Sequence, residues 1–178
     1  MKIIKKILLA IVFLIVLVLV VALFVKKEYS VERDITINKP QQDVFNYIKF
    51  VKNQDNYSKW AMADPAMRKE YKGTDGTVGF VSAWDSDSSH VGKGEQEITK
   101  ITDNELDMDL RFIKPFKGFA DASMQAEAVD SNHTKVKWIF HSKMKYPMNV
   151  MLLCMNMDKI IGNDLSTGLT NLKAILEK

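Results

Sequence analysis

The chain has 178 residues, with 25 Lys or Arg, 22 Asp or Glu and a single cysteine, Cys154. One cysteine excludes an intrachain disulfide and any cysteine-based metal cluster. Five of the basic residues flank an apolar run near the N-terminus: Lys2, Lys5, Lys6, Lys26 and Lys27. All 22 acidic residues follow that run, so the rest of the chain carries 20 basic against 22 acidic residues, a net charge of −2. This balance gives no indication of a nucleic-acid-binding surface.

The first predicted element is a transmembrane helix over Ile7–Val25. The run contains no charge, hydroxyl, amide, Gly or Pro, and as a helix it would be ~28 Å long, close to the ~30 Å hydrocarbon core of a bilayer. A cleaved secretory signal is the alternative, because lysines precede the run. The run is longer than the roughly 7–15 apolar residues of such a signal, and no small-x-small cleavage site precedes Lys26. We therefore expect residues 1–27 to form a retained single-pass anchor.

The charges around this helix indicate an orientation. The six-residue N-terminal tail is the more densely basic flank, and a short basic tail usually stays in the cytoplasm. This favours an N-in orientation with the remainder outside the cytoplasm. Residues 28–178 have the usual size of one domain with its own core, and we expect them to form a single domain.

This domain is predicted to begin with a strand and two short helices. Apolar residues recur at alternate positions of Tyr29–Asn38, as on one face of a β-strand. Asn38 and Pro40 then favour the start of a helix, since apolar residues at helical spacing follow them. A second short helical segment is predicted from Gln54 to Trp60.

A series of strands separated by turn residues comes next, at intervals of roughly ten residues. The predicted strands are Met67–Lys72, Thr77–Asp85, Val91–Thr102, Glu105–Ile113, Phe119–Val129 and Thr134–Tyr146. Short polar or Gly-containing turns join them, so we expect an antiparallel meander. The last strand alternates most sharply, with Val136, Trp138 and Phe140 on one face and lysines on the other.

The segment Met148–Glu177 is predicted to cover the apolar face of this sheet. Its leucines and isoleucines repeat every three or four residues, as on one face of a helix. Gly162, near its middle, is a candidate for a kink or for the boundary between two helices.

This order of elements resembles the helix-grip fold of the START-like superfamily, in particular the bacterial SRPBCC or polyketide cyclase/dehydrase-like proteins. The resemblance covers Tyr29–Lys178 and is carried by four features: Ile35–Ile48, Trp60, Val91–Ile98, and Thr134–Trp138 before a long C-terminal helix. It implies an α+β fold of the START/Bet v 1-like type, in which a curved antiparallel sheet surrounds the C-terminal helix. Many members hold a hydrophobic small molecule or lipid between sheet and helix, a minority are enzymes, and others bind partner proteins. The resemblance therefore leaves function open.

A sheet that surrounds the helix would place a set of mostly apolar side chains around the cavity: Phe80, Ser82, Trp84, Gln96, Phe112, Met124, Trp138, Phe140, Met151 and Met155. This lining suits an apolar ligand with one or two hydrogen-bonding points, for which Ser82 and Gln96 are the polar candidates. A filled hydrophobic core is the alternative interpretation of the same residues.

Enzymatic chemistry finds little support in the sequence. It contains no HExxH, GxSxG or glycine-rich phosphate-binding loop, and the acidic residues of the strands fall on the outward phase. We expect no catalytic residue, no metal site and no cofactor. His90, His133 and His141 are expected to be exposed to solvent, since two lie in predicted turns and the third lies among lysines.

Three functions remain as hypotheses. The first is a membrane-anchored, non-catalytic binding domain for a hydrophobic small molecule or lipid. The second is a polyketide cyclase/dehydrase-like or hydrolase-like enzyme acting on an apolar substrate. The third is a co-chaperone-like interaction module, which would use either the methionine-rich segment Pro147–Met157 or the basic face of the last strand: Lys135, Lys137, Lys143 and Lys145. The methionine-rich segment is apolar on almost every side, so it could pack in the core, form a lid over the cavity or face a membrane.

Overall fold

A computed structural model describes residues 2–88 and 91–178. It begins with helix α1, Lys2–Phe24, which is long and apolar enough to cross a membrane by its length and composition. The side chains of the first four turns are exposed, and only the last turn of α1 is covered by the remainder of the chain, where Ala22 is buried. The helix therefore projects away from the domain that follows it.

Seven antiparallel strands form one sheet in the order β1-β7-β6-β5-β4-β3-β2. Their bounds are Glu28–Ile37 (β1), Arg68–Lys72 (β2), Val81–Asp85 (β3), Lys93–Ile101 (β4), Glu105–Lys114 (β5), Gly118–Ala128 (β6) and Thr134–Lys143 (β7). Strands β2 to β7 pair with their neighbours in sequence, and β1 pairs with β7. The predicted meander is thus present, and its first strand lies beside its last.

The predicted strand Thr77–Asp85 is shorter in the structure, where β3 begins at Val81. Gly79 has a φ of +86°, a conformation that interrupts a strand and that glycine adopts without steric cost. The Gly79 N–H nevertheless donates to the Ile98 carbonyl of β4 at 2.8 Å, and the Ile98 N–H donates to the Phe80 carbonyl at 2.9 Å. The chain at this point is anchored to the sheet although it is not extended.

The two faces of the sheet differ as the alternation predicts. On β7 the side chains of Val136, Trp138 and Phe140 are buried, while the residues between them are only partly covered. Ion pairs lie on the outer face, for example from the Arg111 guanidinium to Glu95 and Glu97, both at 2.6 Å. One face therefore supplies the hydrophobic core and the other meets solvent.

Three short helices connect β1 to β2. Helix α2, Gln41–Ile48, buries its apolar side against the core, and a 3₁₀ helix, Val51–Asn56, and helix α3, Lys59–Met62, follow it. The second short helical segment predicted from Gln54 to Trp60 is therefore two separate turns, because the chain is extended at Ser58.

Helix α4, Met157–Leu176, lies across the inner face and contacts β1 most extensively. Its side chains Leu165, Leu169 and Leu172 are buried in the core. The predicted break at Gly162 is wrong in position. A second 3₁₀ helix, Met148–Leu153, precedes α4, and the boundary falls at Asn156, whose side chain caps α4 by accepting from the backbone N–H of Lys159 at 2.9 Å.

The sheet has two ends with different surroundings. We call the end at which β1 begins and β7 finishes the proximal end, because α1 joins the domain there. At the opposite, distal end, α2 follows β1, and the Thr134 hydroxyl at the start of β7 donates to the Lys39 carbonyl at 2.7 Å. The core is closed distally by the three buried residues of α2: Val44, Phe45 and Ile48. The curved sheet around a long C-terminal helix is the architecture predicted from the sequence.

Candidate functional site

The centre of the inner face is filled by aromatic side chains. Tyr57 and Trp60, from the connection between β1 and β2, pack edge-on against Trp138 with ring centroids 5.8 and 6.1 Å apart. Gly168 of α4 lies against the same indole, and a Cβ at that position would be only 2.7 Å from the Trp138 ring. Helix and sheet therefore approach closely here, which leaves little space between them.

A small group of polar atoms lies within this filled centre. The Gln96 amide on β4 donates to the Gln54 side-chain oxygen at 3.1 Å, and the Gln54 amide contacts the Met108 sulfur at 3.5 Å. The Tyr57 hydroxyl is directed at the Met124 sulfur at 3.4 Å. Thioether sulfurs are weak acceptors, so these amide and hydroxyl groups keep capacity to bond with a more polar partner.

Tyr57 is the ionisable group at the centre of this core that the sequence did not reveal. Its side chain is fully buried, and burial raises the pKa of the phenol far above its usual value. The group therefore stays protonated at neutral pH and can donate a hydrogen bond, but it does not act as a base.

Towards the proximal end the inner face becomes less covered. Trp84 on β3 and Phe112 on β5 are both half-buried and pack edge-on, with ring centroids 6.1 Å apart. Tyr29 on β1 is half-buried beside Phe140 at 6.4 Å. The half-buried inner-face aromatics thus lie towards the proximal end, with Trp84 and Phe112 as one pair and Tyr29 separately on the edge strand β1.

The predicted lining residues fall into three groups in the structure. The buried core contains Phe80, Met124, Trp138 and Phe140. Four side chains of the inner face are half-buried: Ser82, Trp84, Gln96 and Phe112. Ser82 lies opposite Gln96 in the pairing of β3 with β4. Met151 and Met155 belong to the segment between β7 and α4, where Met151 is exposed and Met155 half-buried.

This methionine-rich segment contacts the end of α1. The Asn149 side-chain amide donates to the carbonyls of Ala22 at 2.7 Å and Val25 at 2.9 Å. Asn149 is 0% exposed, and the two carbonyls belong to the end of a helix, where backbone acceptors lack intrahelical partners. A side chain more than a hundred residues away in sequence therefore caps α1.

Two concave features of the described surface lie on the outer side of the sheet. The larger has a volume of about 290 Å³, and its lining includes Asp107, Asp109, Asp121 and His141. The smaller, about 90 Å³, lies along the edge formed by β2 and β3. Neither lies between the sheet and α4.

The histidines and the lysines of β7 that the sequence placed at the surface mostly lie beside carboxylates. His133 lies 2.8 Å from the Asp130 carboxylate, and His90 is outside the described residues. On the basic face of β7, Lys137 and Lys143 each lie 2.7 Å from a glutamate, and Lys135 lies 3.5 Å from Asp34. This face therefore carries less free positive charge than its sequence indicates.

Comparison with known proteins identifies the fold. No protein-family model and no curated protein matches the sequence. Among solved structures, the chain is similar to the Zhui aromatase/cyclase from Streptomyces sp. R1128, with a TM-score of 0.61, 12% identity, and coverage of 84% of this chain and 94% of that one. It is similar to norcoclaurine synthase from Thalictrum flavum in complex with dopamine and hydroxybenzaldehyde, with a TM-score of 0.61, 9% identity, and coverage of 84% and 86%.

A third similar structure is Ara h 8.0201, with a TM-score of 0.56, 15% identity, and coverage of 84% of this chain and 97% of that one. At these identities the likeness concerns the fold. All three structures are matched over nearly their whole length, and the matched share of this chain is close to the length of the chain beyond α1. The chain therefore has the helix-grip, START/Bet v 1-like fold that its sequence resembles.

Proposed function

We propose that the protein is a membrane-anchored binding domain for a hydrophobic small molecule or lipid, which enters between sheet and helix at the proximal end. The observation that carries this proposal is that the half-buried aromatics of the inner face, the Trp84–Phe112 pair and Tyr29, lie towards the proximal end of the sheet. Apolar surface that is only partly covered gains free energy when an apolar molecule covers it. The anchor would hold this opening close to the bilayer.

Retention of α1 as the anchor is supported by its contact with the domain. Asn149 gives both protons of its amide to carbonyls at the end of α1 and is buried by this contact. Cleavage of α1 would remove both acceptors, and with them two hydrogen bonds that each contribute about 0.5–1.5 kcal/mol net. The lysines around the helix then favour an N-in orientation, with the domain outside the cytoplasm.

Binding at this position requires side chains to move, because the centre of the inner face is filled. The residues that close the space include Met108 and Met124, whose unbranched side chains adapt to different shapes. A ligand that displaced them would meet the Gln96 and Gln54 amides and the Tyr57 hydroxyl, whose present partners include weak sulfur acceptors. These groups would orient one polar end of an otherwise apolar molecule.

The solved structures with this fold are consistent with binding of small aromatic or apolar molecules. One of them is a synthase in complex with dopamine and hydroxybenzaldehyde, and another is an aromatase/cyclase. We propose binding without catalysis for this chain, because the ionisable group at the centre of its inner face is Tyr57, which burial keeps protonated.

The test uses the full chain reconstituted in lipid nanodiscs that contain a phospholipid with a photoactivatable diazirine in its acyl chain. Phe112→Glu places a charge among the half-buried inner-face aromatics and should lower cross-linking to the domain on the order of tenfold, because an apolar ligand cannot solvate the carboxylate. Cross-linked peptides identified by mass spectrometry should include β5. The matched control is Ile139→Glu, which makes the same change at a half-buried position on the outer face.

Thermal unfolding of both variants, followed by circular dichroism, checks that they remain folded. The chain purified in detergent from its expression host, before reconstitution, and extracted with organic solvent, should yield an apolar molecule that is reduced in Phe112→Glu and retained in Ile139→Glu. Equal labelling of the two variants in nanodiscs, together with equal yields of that molecule from both, would show that the domain is a filled scaffold.

A further inference from the structure

The turn between β5 and β6 exposes an aromatic side chain between two lysines. Phe116 is 77% exposed, and Lys114 and Lys117 on either side of it are exposed as well. Ile113 and Phe119, at the adjoining ends of the two strands, are also exposed. We call residues 113–119 the hairpin tip. An apolar group of this size on a strand connection has no role in the core, and exposed apolar patches mark contact surfaces.

Strand register places the hairpin tip at the proximal end. Phe112 of β5 pairs with Gly118 of β6, Ala120 of β6 pairs with Ser142 of β7, and Lys143 of β7 pairs with Glu28 of β1. The hairpin tip therefore extends beyond the proximal end of the sheet, which is the end at which α1 joins the domain. Neighbouring strands are ~4.8 Å apart, so the tip lies roughly 10–15 Å to the side of β1.

The second 3₁₀ helix continues the apolar surface at this end. Met148 and Leu153 are exposed there, while Asn149 joins the same helix to Ala22 and Val25 of α1. Ala22 lies within the apolar run Ile7–Val25, so the 3₁₀ helix lies at the level where the proposed span ends. The outer boundary of the bilayer would then pass along the proximal end of the domain.

We propose that the hairpin tip is a second membrane contact, in which Phe116 inserts into the interface of the bilayer that holds α1 and the flanking lysines bind anionic lipid headgroups. This inference rests on the anchoring role proposed above for α1. Aromatic side chains are favoured at the level of the headgroups, and lysines near an anionic surface add attraction. The lipid surface is the occupant because the tip is at the same end as the span and carries positive charge.

The experiment places single fluorescent probes on the full chain in nanodiscs. In a Cys154→Ser background, cysteines replace Phe116, Val129 or Ile15 and are labelled with an NBD dye, and quenching by spin-labelled phospholipids is measured. Val129 is the matched control, because it is an exposed apolar residue beside the next hairpin turn, at the distal end. The probe at position 15 reports whether α1 spans the bilayer.

We expect spin labels at the level of the headgroups to quench the probe at position 116 at least about threefold more strongly than the probe at position 129. The emission of the probe at position 116 should also be shifted to shorter wavelength. The difference should be larger in discs with phosphatidylglycerol than in discs with phosphatidylcholine alone. Quenching at position 15 with equal, weak quenching at positions 116 and 129 would overturn the second contact and leave the anchor intact. Absence of lipid quenching at position 15 would overturn the anchor and this inference with it.

Discussion

Asn149 is the residue that connects the two parts of the chain most directly. Its two hydrogen bonds to the end of α1 together contribute about 1–3 kcal/mol. Asn149→Ala should therefore leave the domain folded but increase transient opening of the junction on the order of tenfold. Limited trypsin digestion of the full chain in nanodiscs measures this opening as the rate of cleavage after the exposed Lys26 and Lys27.

The matched control for this prediction is Asn163→Ala, which removes an exposed amide from α4. It should leave the cleavage rate unchanged. Equal cleavage of the unsubstituted chain and the Asn149→Ala variant would mean that the junction is held by other contacts.

At the scale of elements, the start of α4 is fixed by a pair of charges as well as by its Asn156 cap. The Arg33 guanidinium on β1 donates to both carboxylate oxygens of Asp158 at 3.0 and 2.9 Å and to the Asp158 carbonyl at 2.9 Å. The hydrogen bond and the positive charge of Arg33 lower the pKa of Asp158 below its usual value of 3.8. The pair thus joins the helix to the first strand.

The lowered pKa of Asp158 makes the stability of the folded state depend on pH. A carboxylate with a lowered pKa in the folded state stabilises that state above its unfolded pKa, and this stabilisation is lost as the pH falls through the folded value. Asp158→Asn should therefore lower the urea midpoint at pH 7, and the difference from the unsubstituted chain should shrink below pH ~3.8. The same comparison for Asp121→Asn, on the outer face, should show a smaller difference at pH 7. A pH-independent difference for Asp158→Asn would contradict the ionic origin.

Gly162 shows why the position of the helix boundary was mispredicted. Glycine weakens a helix, so its place in a periodic segment indicated a break. In the structure its missing side chain makes room for the Arg33 guanidinium, which would collide with a Cβ at that position. This contact is with β1, more than a hundred residues away, which local sequence cannot reveal.

For the whole molecule, the proposed retention of α1 as an anchor leads to a prediction about the mature chain. The protein expressed in a bacterial host should remain with the membrane pellet after an alkaline wash, because a spanning helix resists extraction. Its intact mass should include residues 2–24. A soluble product that begins near Lys26 would identify α1 as a cleaved signal.

The fold was predictable from the sequence to a large extent, because strand alternation and turn residues specify an antiparallel meander locally. The sequence did not show which of the predicted lining residues are buried and which are half-buried. Phe80 and Trp138 are sealed in the core whereas Trp84 and Phe112 are half-covered, and all four have the same inward phase along their strands. The difference arises from the connection between β1 and β2, since Tyr57 and Trp60 pack on Trp138 and Lys52 lies over the Phe80 ring. The contribution of Tyr57 likewise depends on how two short turns fold back over β7.

The hydrogen bonds of Asn149 also restrict how the domain can turn. A domain joined to its helix by the two lysines alone would swivel freely about a single point. The second attachment, through a segment that follows the last strand, removes most of that rotational freedom. The long axis of the sheet would then keep a fixed tilt relative to the bilayer normal, and polarised spectroscopy of oriented membranes would record one angle for it. If α1 spans the bilayer as proposed, molecules diffusing in the leaflet on the domain's side would always approach the same end of the protein.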